Sequence, residues 1–375
     1  MPPFMNMRNI RRILLLTIAA ALLAACSPKE AEELYTAEPT ATPNMEEATA
    51  VPDKIEIEDM AGRTVTIPTN IETVFGTNNN STILLYTLAP EKMVAWNLDF
   101  SDAAKAYLRE ETLDLPVLGN LYGSGKMANI EEIIALAPDI VLIADVKVSE
   151  KVIEAADDLQ SKLGIPVLVI SANMKNYDKA YEFLGLVLGE SEKAAELSAY
   201  YLDAYSTSIE ISAEIEQKTS IYYAYLDNGL TTEFAGSPNA ELIELVGAAN
   251  IAKTEGKETS GEVTIEQVLE WNPDVILVGH KGAAMSKAYE LIKTDELWAE
   301  TNAVKNGMVI SVPRFPFNWF DRPPSVNRII GIKWLGNLLY PEIYQYDMIE
   351  EVKEFFSLFY GCELSDEEAE KLLGN

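Results

Sequence analysis

The chain has 375 residues, of which 48% are apolar and 23% charged, with a formal charge of −30. That length and apolar content suit one large or two ordinary domains with a true hydrophobic core. The acidity argues against nucleic acid or an anionic lipid surface as a partner recognised by charge, and two cysteines, Cys26 and Cys362, are too few for a disulfide scaffold.

Arg8, Arg11 and Arg12 precede the apolar run ILLLTIAAALLAA, which ends at Cys26. A charged start, an apolar stretch too short for an ordinary membrane span and small residues before a cleavage point predict an export signal over residues 1–25. The string LAAC resembles the lipobox of bacterial lipoproteins, in which Cys26 becomes the lipidated first residue of the mature chain. Residues 26–53 are rich in Pro, Thr, Ala and Glu without an apolar period, as in a disordered tether.

A first α/β lobe is predicted over 54–190. IEIEDMAGRTVTIP predicts a hairpin around Ala61-Gly62. Strands are predicted at Thr73–Gly76, Val94–Trp96, Ile140–Ala144 and Val167–Ile170. They alternate with helices near Ser81–Leu88, Ser101–Arg109, Ile130–Leu136 and Ser149–Leu163, which favours a parallel sheet. From 191 to 217 a pattern without Gly or Pro predicts one long helix, with Leu197, Tyr201, Tyr205 and Ile209 as its apolar stripe. It connects rigidly to a second lobe over 218–375. That lobe has strands at Ile221–Leu226, Val275–Gly279 and Met308–Val312, helices at Ala240–Val246, Ile265–Glu270 and Ser325–Leu339, and terminal helices between Asp347 and Leu373.

The two lobes share a segment. NIEEIIALAPDIVLIA from Asn129 aligns without a gap on TIEQVLEWNPDVILVG from Thr264. Each reads as a short amphipathic helix, a Pro-Asp pair that ends it, and an apolar run without polar alternation, the mark of a strand buried on both faces. The fold class expected is therefore two α/β lobes with mainly parallel sheets, joined by one long rigid helix, with a ligand cleft between them.

This order resembles the substrate-binding proteins of ABC importers, in the class with one rigid helix between lobes that carries ferric siderophores, haem or cobalamin. The repeated segments, AGSPNAELIELVGAANIA and FNWFDRPPSVNRIIGIKWL carry the likeness, which covers residues 55 to about 340. The resemblance implies a monomeric, non-catalytic extracytoplasmic protein, anchored by lipid, without a resident cofactor. Its partners would be a permease with its ATPase and a small-molecule metal chelate, with no role for nucleic acid. It also implies that Glu131 and Glu266, at matching positions in the two repeats, dock on the permease. By the residues alone each is an acid favouring the positive end of its helix.

Ligands of open α/β sheets sit beyond the carboxyl ends of the strands. That rule selects Asn79 and Asn80, Trp96, and Tyr122 and Lys126 of the loop GNLYGSGK in the first lobe. In the second it selects His280 and the segment holding Arg314, Trp319 and Arg322. For Asn78–Asn80 helix capping is the competing role, for Trp96 core packing. Arg314, Arg322, Arg328 and Lys333 have only Asp321 as a nearby acid, and Phe315, Phe317 and Trp319 accompany them. This suits an anionic chelate. The alternative is an aromatic plug against the linking helix, with Arg328 in a salt bridge. His280 is the sole histidine, so it is either an axial ligand to haem iron or a loop residue with a satisfied ring. One histidine is too few for a bare zinc or manganese site, and no hydrolase constellation or phosphate loop is present. The competing readings are an oxyanion such as molybdate or tungstate as the ligand, or a tethered extracellular sensor that needs no permease. If the lipobox expectation is right, Cys26→Ser releases the protein into the medium or leaves it unprocessed. Membrane fractionation with lipid labelling checks this, and a lipid-modified mutant refutes it.

Overall fold

Asp59 is almost fully buried, yet it organises the start of the first lobe. In the computed structural model, which describes residues 52–256, 258–280 and 287–374, β1 (Lys54–Glu58) and β2 (Thr64–Pro68) form the antiparallel hairpin around it. The Asp59 carboxylate accepts the N–H groups of Ala61 and Arg63 across the turn and that of Val169 from the neighbouring sheet. Arg63 closes the ion pair at 2.9 Å. A buried acid surrounded by donors is tolerated because its lone pairs are satisfied. The signal, Cys26 and nearly all of the tether lie outside the described residues.

The first sheet is parallel, with β3 (Val74–Gly76), β4 (Ile140–Asp145) and β5 (Val167–Ser171) side by side in that order. β3 and β5 are buried throughout and β4 through Ala144, as their unbroken apolar runs required. The expected strand at Val94–Trp96 is reduced to isolated bridges. Trp96 donates to the carbonyl of Pro116 and accepts from Leu118, but Pro116 has no N–H with which to extend the ladder. Helices cover the sheet at Asn79–Leu88, Ile130–Leu136 and Glu150–Leu163, while the helix expected over Ser101–Arg109 shrinks to Asp102–Lys105. A further helix, Tyr177–Leu188, was not anticipated. Gly185 conceals it in the sequence but serves it in space: a Cβ there would lie 2.3 Å from that of Ala194, so the next helix packs directly on the glycine.

That next helix, Ser191–Glu214, has 24 residues and spans about 36 Å. Its buried face runs through Ala194, Leu197, Ser198, Tyr201, Ala204 and Ser208. Tyr205 is half-buried and Ile209 is 45% exposed, which corrects the predicted stripe. Steps of four residues overshoot a full turn by about 40°, so a line drawn at that spacing walks off the buried face. The second lobe contains β6 (Ser220–Ala224), β7 (Thr231–Glu233), β8 (Ala249–Asn250), β9 (Ser260–Glu262), β10 (Val275–Val278) and β11 (Val309–Ser311). Four of these form a parallel sheet in the order β11-β10-β6-β8, and β7 pairs antiparallel with β9.

The repeat is structural. Ile130–Leu136 and Ile265–Trp271 are both seven-residue helices, capped by Asn129 and Thr264. Both end on a left-handed residue, Ala137 or Asn272, just before the proline. The aspartate after each proline does the same work in each lobe. Asp139 accepts from the Glu72 and Thr73 N–H groups at 2.8 Å and from the Thr73 hydroxyl, and Asp274 accepts from the N–H and hydroxyl of Ser220. Each Pro-Asp thus ties the start of its strand to the entry of the neighbouring strand, β3 or β6.

One hydrophobic cluster runs through both lobes, the linking helix and the tail. The tail helices Met348–Phe355 and Asp366–Leu373 flank a wider turn at Phe356–Tyr360, whose rings are buried. Tyr360 contacts Tyr86 of the first lobe at 5.6 Å between ring centroids, Phe356 contacts Tyr107 at 5.8 Å, and Phe100 meets Phe317 at 5.7 Å.

Candidate functional site

At the carboxyl end of β3 the chain turns directly into the helix Asn79–Leu88. The Asn78 side chain caps it, accepting from Ser81 N–H at 3.0 Å and donating to the Ala144 carbonyl at 2.8 Å. Capping therefore wins at Asn78, while Asn79 and Asn80 face a cleft. Their N–H groups lie in the first turn, where a helix supplies no acceptor, and they have no partner among the described residues. This cleft has a volume of about 470 Å³. Its first-lobe wall includes Asn79, Asn80, Asn120, Tyr122, Ser124 and Asp145, and its second-lobe wall Asn239 and Arg322.

Several wall groups are held in place from behind. Tyr122 donates to Asp145 at 2.8 Å, and burial together with that carboxylate pushes its phenol up to about 12. The Asn120 amide donates to the Ser124 carbonyl, which leaves its buried Oδ1 without a partner; Asn79 Oδ1 is likewise unpartnered. Arg322 pairs with Asp321 at 2.6 Å and with Glu233, both of which are buried. Tyr223 donates to Asp321 at 2.6 Å, and Ser237 to Glu233 at 2.5 Å. The Arg322 guanidinium also lies over the Tyr225 ring at 4.9 Å. Burial works against the guanidinium charge, but Asp321 and Glu233 outweigh it and hold the pKa above its ordinary value. Burial also raises the pKa of Asp321, and Arg322 only partly offsets this.

The structure gathers Asn79, Asn80, Tyr122 and Arg322 around this cleft. Arg314 lines a smaller annex of about 100 Å³, which shares Leu98, Arg322 and Pro323 with the cleft. Three expected contacts are corrected. Trp96 is 1% exposed and donates its indole N–H to the Thr112 carbonyl at 2.7 Å. Trp319 is wholly buried, donates to the Phe315 carbonyl at 3.1 Å and packs against Phe356. Lys126 is exposed and does not line the cleft; its backbone carbonyl accepts from Asn120. His280 is 1% exposed with Nε2 2.8 Å from the Ser311 hydroxyl, so the satisfied-ring alternative describes it. Lys281, which follows it, lies outside the described residues.

The cationic segment also changes meaning. Arg328 pairs with Glu241 at 2.9 Å and Lys333 with Glu351, acids that are distant in sequence, so neither cation is short of a counter-charge. Asp145 and Asn239 also line the cleft and are not among the residues expected there. Asp145 was reachable, since it ends a strand of the repeat and the carboxyl-end rule applies there too. Glu233 carries no local signal, because it meets Arg322 only through the fold.

Two parallel α/β lobes, a helix between them and a polar cleft at the strand ends define a solute-binding protein. A family model described as periplasmic binding protein matches residues 89–314, and the chain belongs to that family. It is the extracytoplasmic substrate-binding component of an ABC importer, partnered by a permease and its ATPase, and not an enzyme. It is similar to an ABC transporter solute-binding protein from Sulfurospirillum deleyianum, with 28% identity, a TM-score of 0.77, and coverage of 85% of this chain and 99% of that one. It is also similar to the molybdate-binding protein MolA of Haemophilus influenzae, 26% identical over 345 residues, 83% of this chain and 92% of that protein. The uncharacterized substrate-binding lipoprotein YvrC of Bacillus subtilis is 23% identical over 305 residues, 78% and 87% of the two chains.

Burial, reinforced by the nearby Arg314 charge, lowers the His280 pKa from 6.5 to about 4. The ring is thus neutral in the folded protein at neutral pH, whereas the unfolded chain takes up a proton near pH 6.5. The associated stability is present above that pH and is lost as pH falls toward about 4. An imidazole NMR titration with a midpoint near 6.5 would show that the ring is not held in this environment.

Proposed function

We propose that this protein captures a compact, oxygen-rich metal chelate of the ferric siderophore type and presents it to the permease. The carrying observation is a cleft of about 470 Å³ whose size is held by a hydrophobic core common to both lobes. A core packed like a crystal resists continuous deformation, so the cleft does not shrink freely around a small ion. Pockets of this volume suit small organic ligands. The wall combines unpaired helix N–H groups, asparagine amides and a fixed arginine, which suits the oxygen atoms that coat such a chelate. The Trp96 and Trp319 rings, the expected walls for a flat macrocycle, are in the core, and His280 is committed to Ser311. A polar chelate therefore fits better than haem.

A second reading is a molybdate- or tungstate-type oxyanion. It is favoured by the likeness to MolA, whose name records molybdate binding. Titration calorimetry with a ferric trihydroxamate, a ferric hydroxycarboxylate, haem, molybdate and tungstate separates the two. Saturation by a ferric chelate with no response to either oxyanion is expected; saturation by molybdate or tungstate alone overturns the chelate reading.

We further assign permease docking to Glu131 and Glu266, which are exposed in the first turns of the matched helices. The Cys26 lipid anchor is part of the same proposal, supported by the LAAC string and by the likeness to a lipoprotein. Replacing both glutamates with alanine should abolish uptake in cells while leaving the affinity for ligand within about threefold, a change well under 1.4 kcal/mol. Normal uptake by the double variant would overturn the docking role of Glu131 and Glu266.

A further inference from the structure

Arg314 is out of keeping with its surroundings. In a chain of charge −30 it has no acidic partner among the described residues. Its guanidinium lies over the Phe315 ring at 4.9 Å, and its Nε is buried without a hydrogen bond. Burial lowers its pKa, the effect of a cation desolvated without compensation. Arg109 and Arg328 also have a buried, unpaired Nε, but among these three arginines Arg314 alone lines the annex, where a ligand can reach it.

A second unpaired donor faces the same annex. Asn318 is 5% exposed, and its Nδ2 is buried with no partner. The orientation of this amide is not free to reverse. Its Oδ1 already accepts the N–H groups of Phe320 at 2.7 Å and Asp321 at 3.0 Å, and a flip would set NH2 against both. The annex that Arg314 and Asn318 line is otherwise walled largely by apolar side chains, among them Phe100, Pro316 and Phe317. Such walls strengthen a charge interaction by excluding water. The one carboxylate at the annex, Asp99, is exposed and accepts the Phe100 N–H at 2.8 Å. The volume of about 100 Å³ equals roughly three waters, the scale of one carboxylate. Leu98, Arg322 and Pro323 form the boundary shared with the main cleft, so a group in the annex can be an arm of a ligand in the cleft.

We infer that the annex is a carboxylate subsite, in which Arg314 and Asn318 bind an uncoordinated carboxylate arm of the cargo. The inference rests on the chelate reading and narrows it to chelates that carry such an arm. Arg322, turned toward Asp321 and Glu233, stands between the two compartments and orients the body of the ligand.

The test uses the full mature protein with two ferric complexes, a hydroxycarboxylate with uncoordinated carboxylates and a trihydroxamate without them. Sodium acetate serves as a separate probe of the annex. Three variants are compared with the wild type: Arg314→Gln, Arg314→Lys and Asn318→Asp. The last keeps both backbone hydrogen bonds to Oδ1 and replaces the unpaired donor with an acceptor. Arg314→Gln and Asn318→Asp are expected to weaken the carboxylate-bearing complex at least about tenfold more than the trihydroxamate, with Arg314→Lys recovering part of the loss. Equal weakening of both complexes by Arg314→Gln, or no weakening of either, overturns the subsite while leaving the chelate reading in place. If neither complex binds, the chelate reading fails and acetate decides the annex. A saturable rise in melting temperature that Arg314→Gln abolishes keeps the subsite; no rise, or the same rise in the variant, removes it.

Discussion

The structure depends on one continuous apolar core that ignores the boundary between the lobes. Tyr86 and Tyr107 of the first lobe, Tyr201 of the linking helix, Trp319 and Ile330 of the second lobe and Phe356 and Tyr360 of the tail belong to the same cluster. Separating the lobes would expose this surface to water at roughly 25 cal/mol per Å². The cleft is therefore a gap left at the edge of a shared core. Its opposing walls are held by the same packing that stabilises each lobe. The tail is part of this arrangement, because its rings touch both lobes.

Buried charge follows a consistent pattern. Asp59, Glu233 and Asp321 are nearly inaccessible, and each is matched by hydrogen-bond donors and by an arginine. Removing one partner from such a group leaves a buried charge uncompensated, at a cost of about 3–5 kcal/mol. The second-lobe network thus fixes Arg322 at the cleft rather than leaving it mobile. Arg314 departs from this pattern, and it is the departure that marks the annex.

The internal repeat shows how one local device can be used twice. In both lobes an amphipathic helix stops on a left-handed residue, proline prevents its continuation, and aspartate captures N–H groups at the start of an adjacent strand. The same geometry leaves an exposed glutamate in the first turn of each helix, Glu131 and Glu266. Two equivalent acids on equivalent elements suit a partner that also offers two equivalent surfaces.

Much of the fold was legible in the residues because its signals are local. Unbroken apolar runs marked β4, β5 and β10, Pro-Asp marked the repeat, and a stretch free of Gly and Pro marked the linking helix. The polar edge of the cleft was partly legible, since Asn79, Asn80 and Tyr122 follow strand ends. What the sequence could not reveal was which aromatic and charged side chains face solvent. Trp96 and Trp319 appear as ligand walls until Tyr86 and Phe100 pack against the one and Phe356 of the tail against the other. Arg328 and Lys333 appear short of counter-charges until Glu241 and Glu351 arrive from 87 and 18 residues away. Burial and ion pairing between distant segments are properties of packing, and only the tertiary structure assigns them.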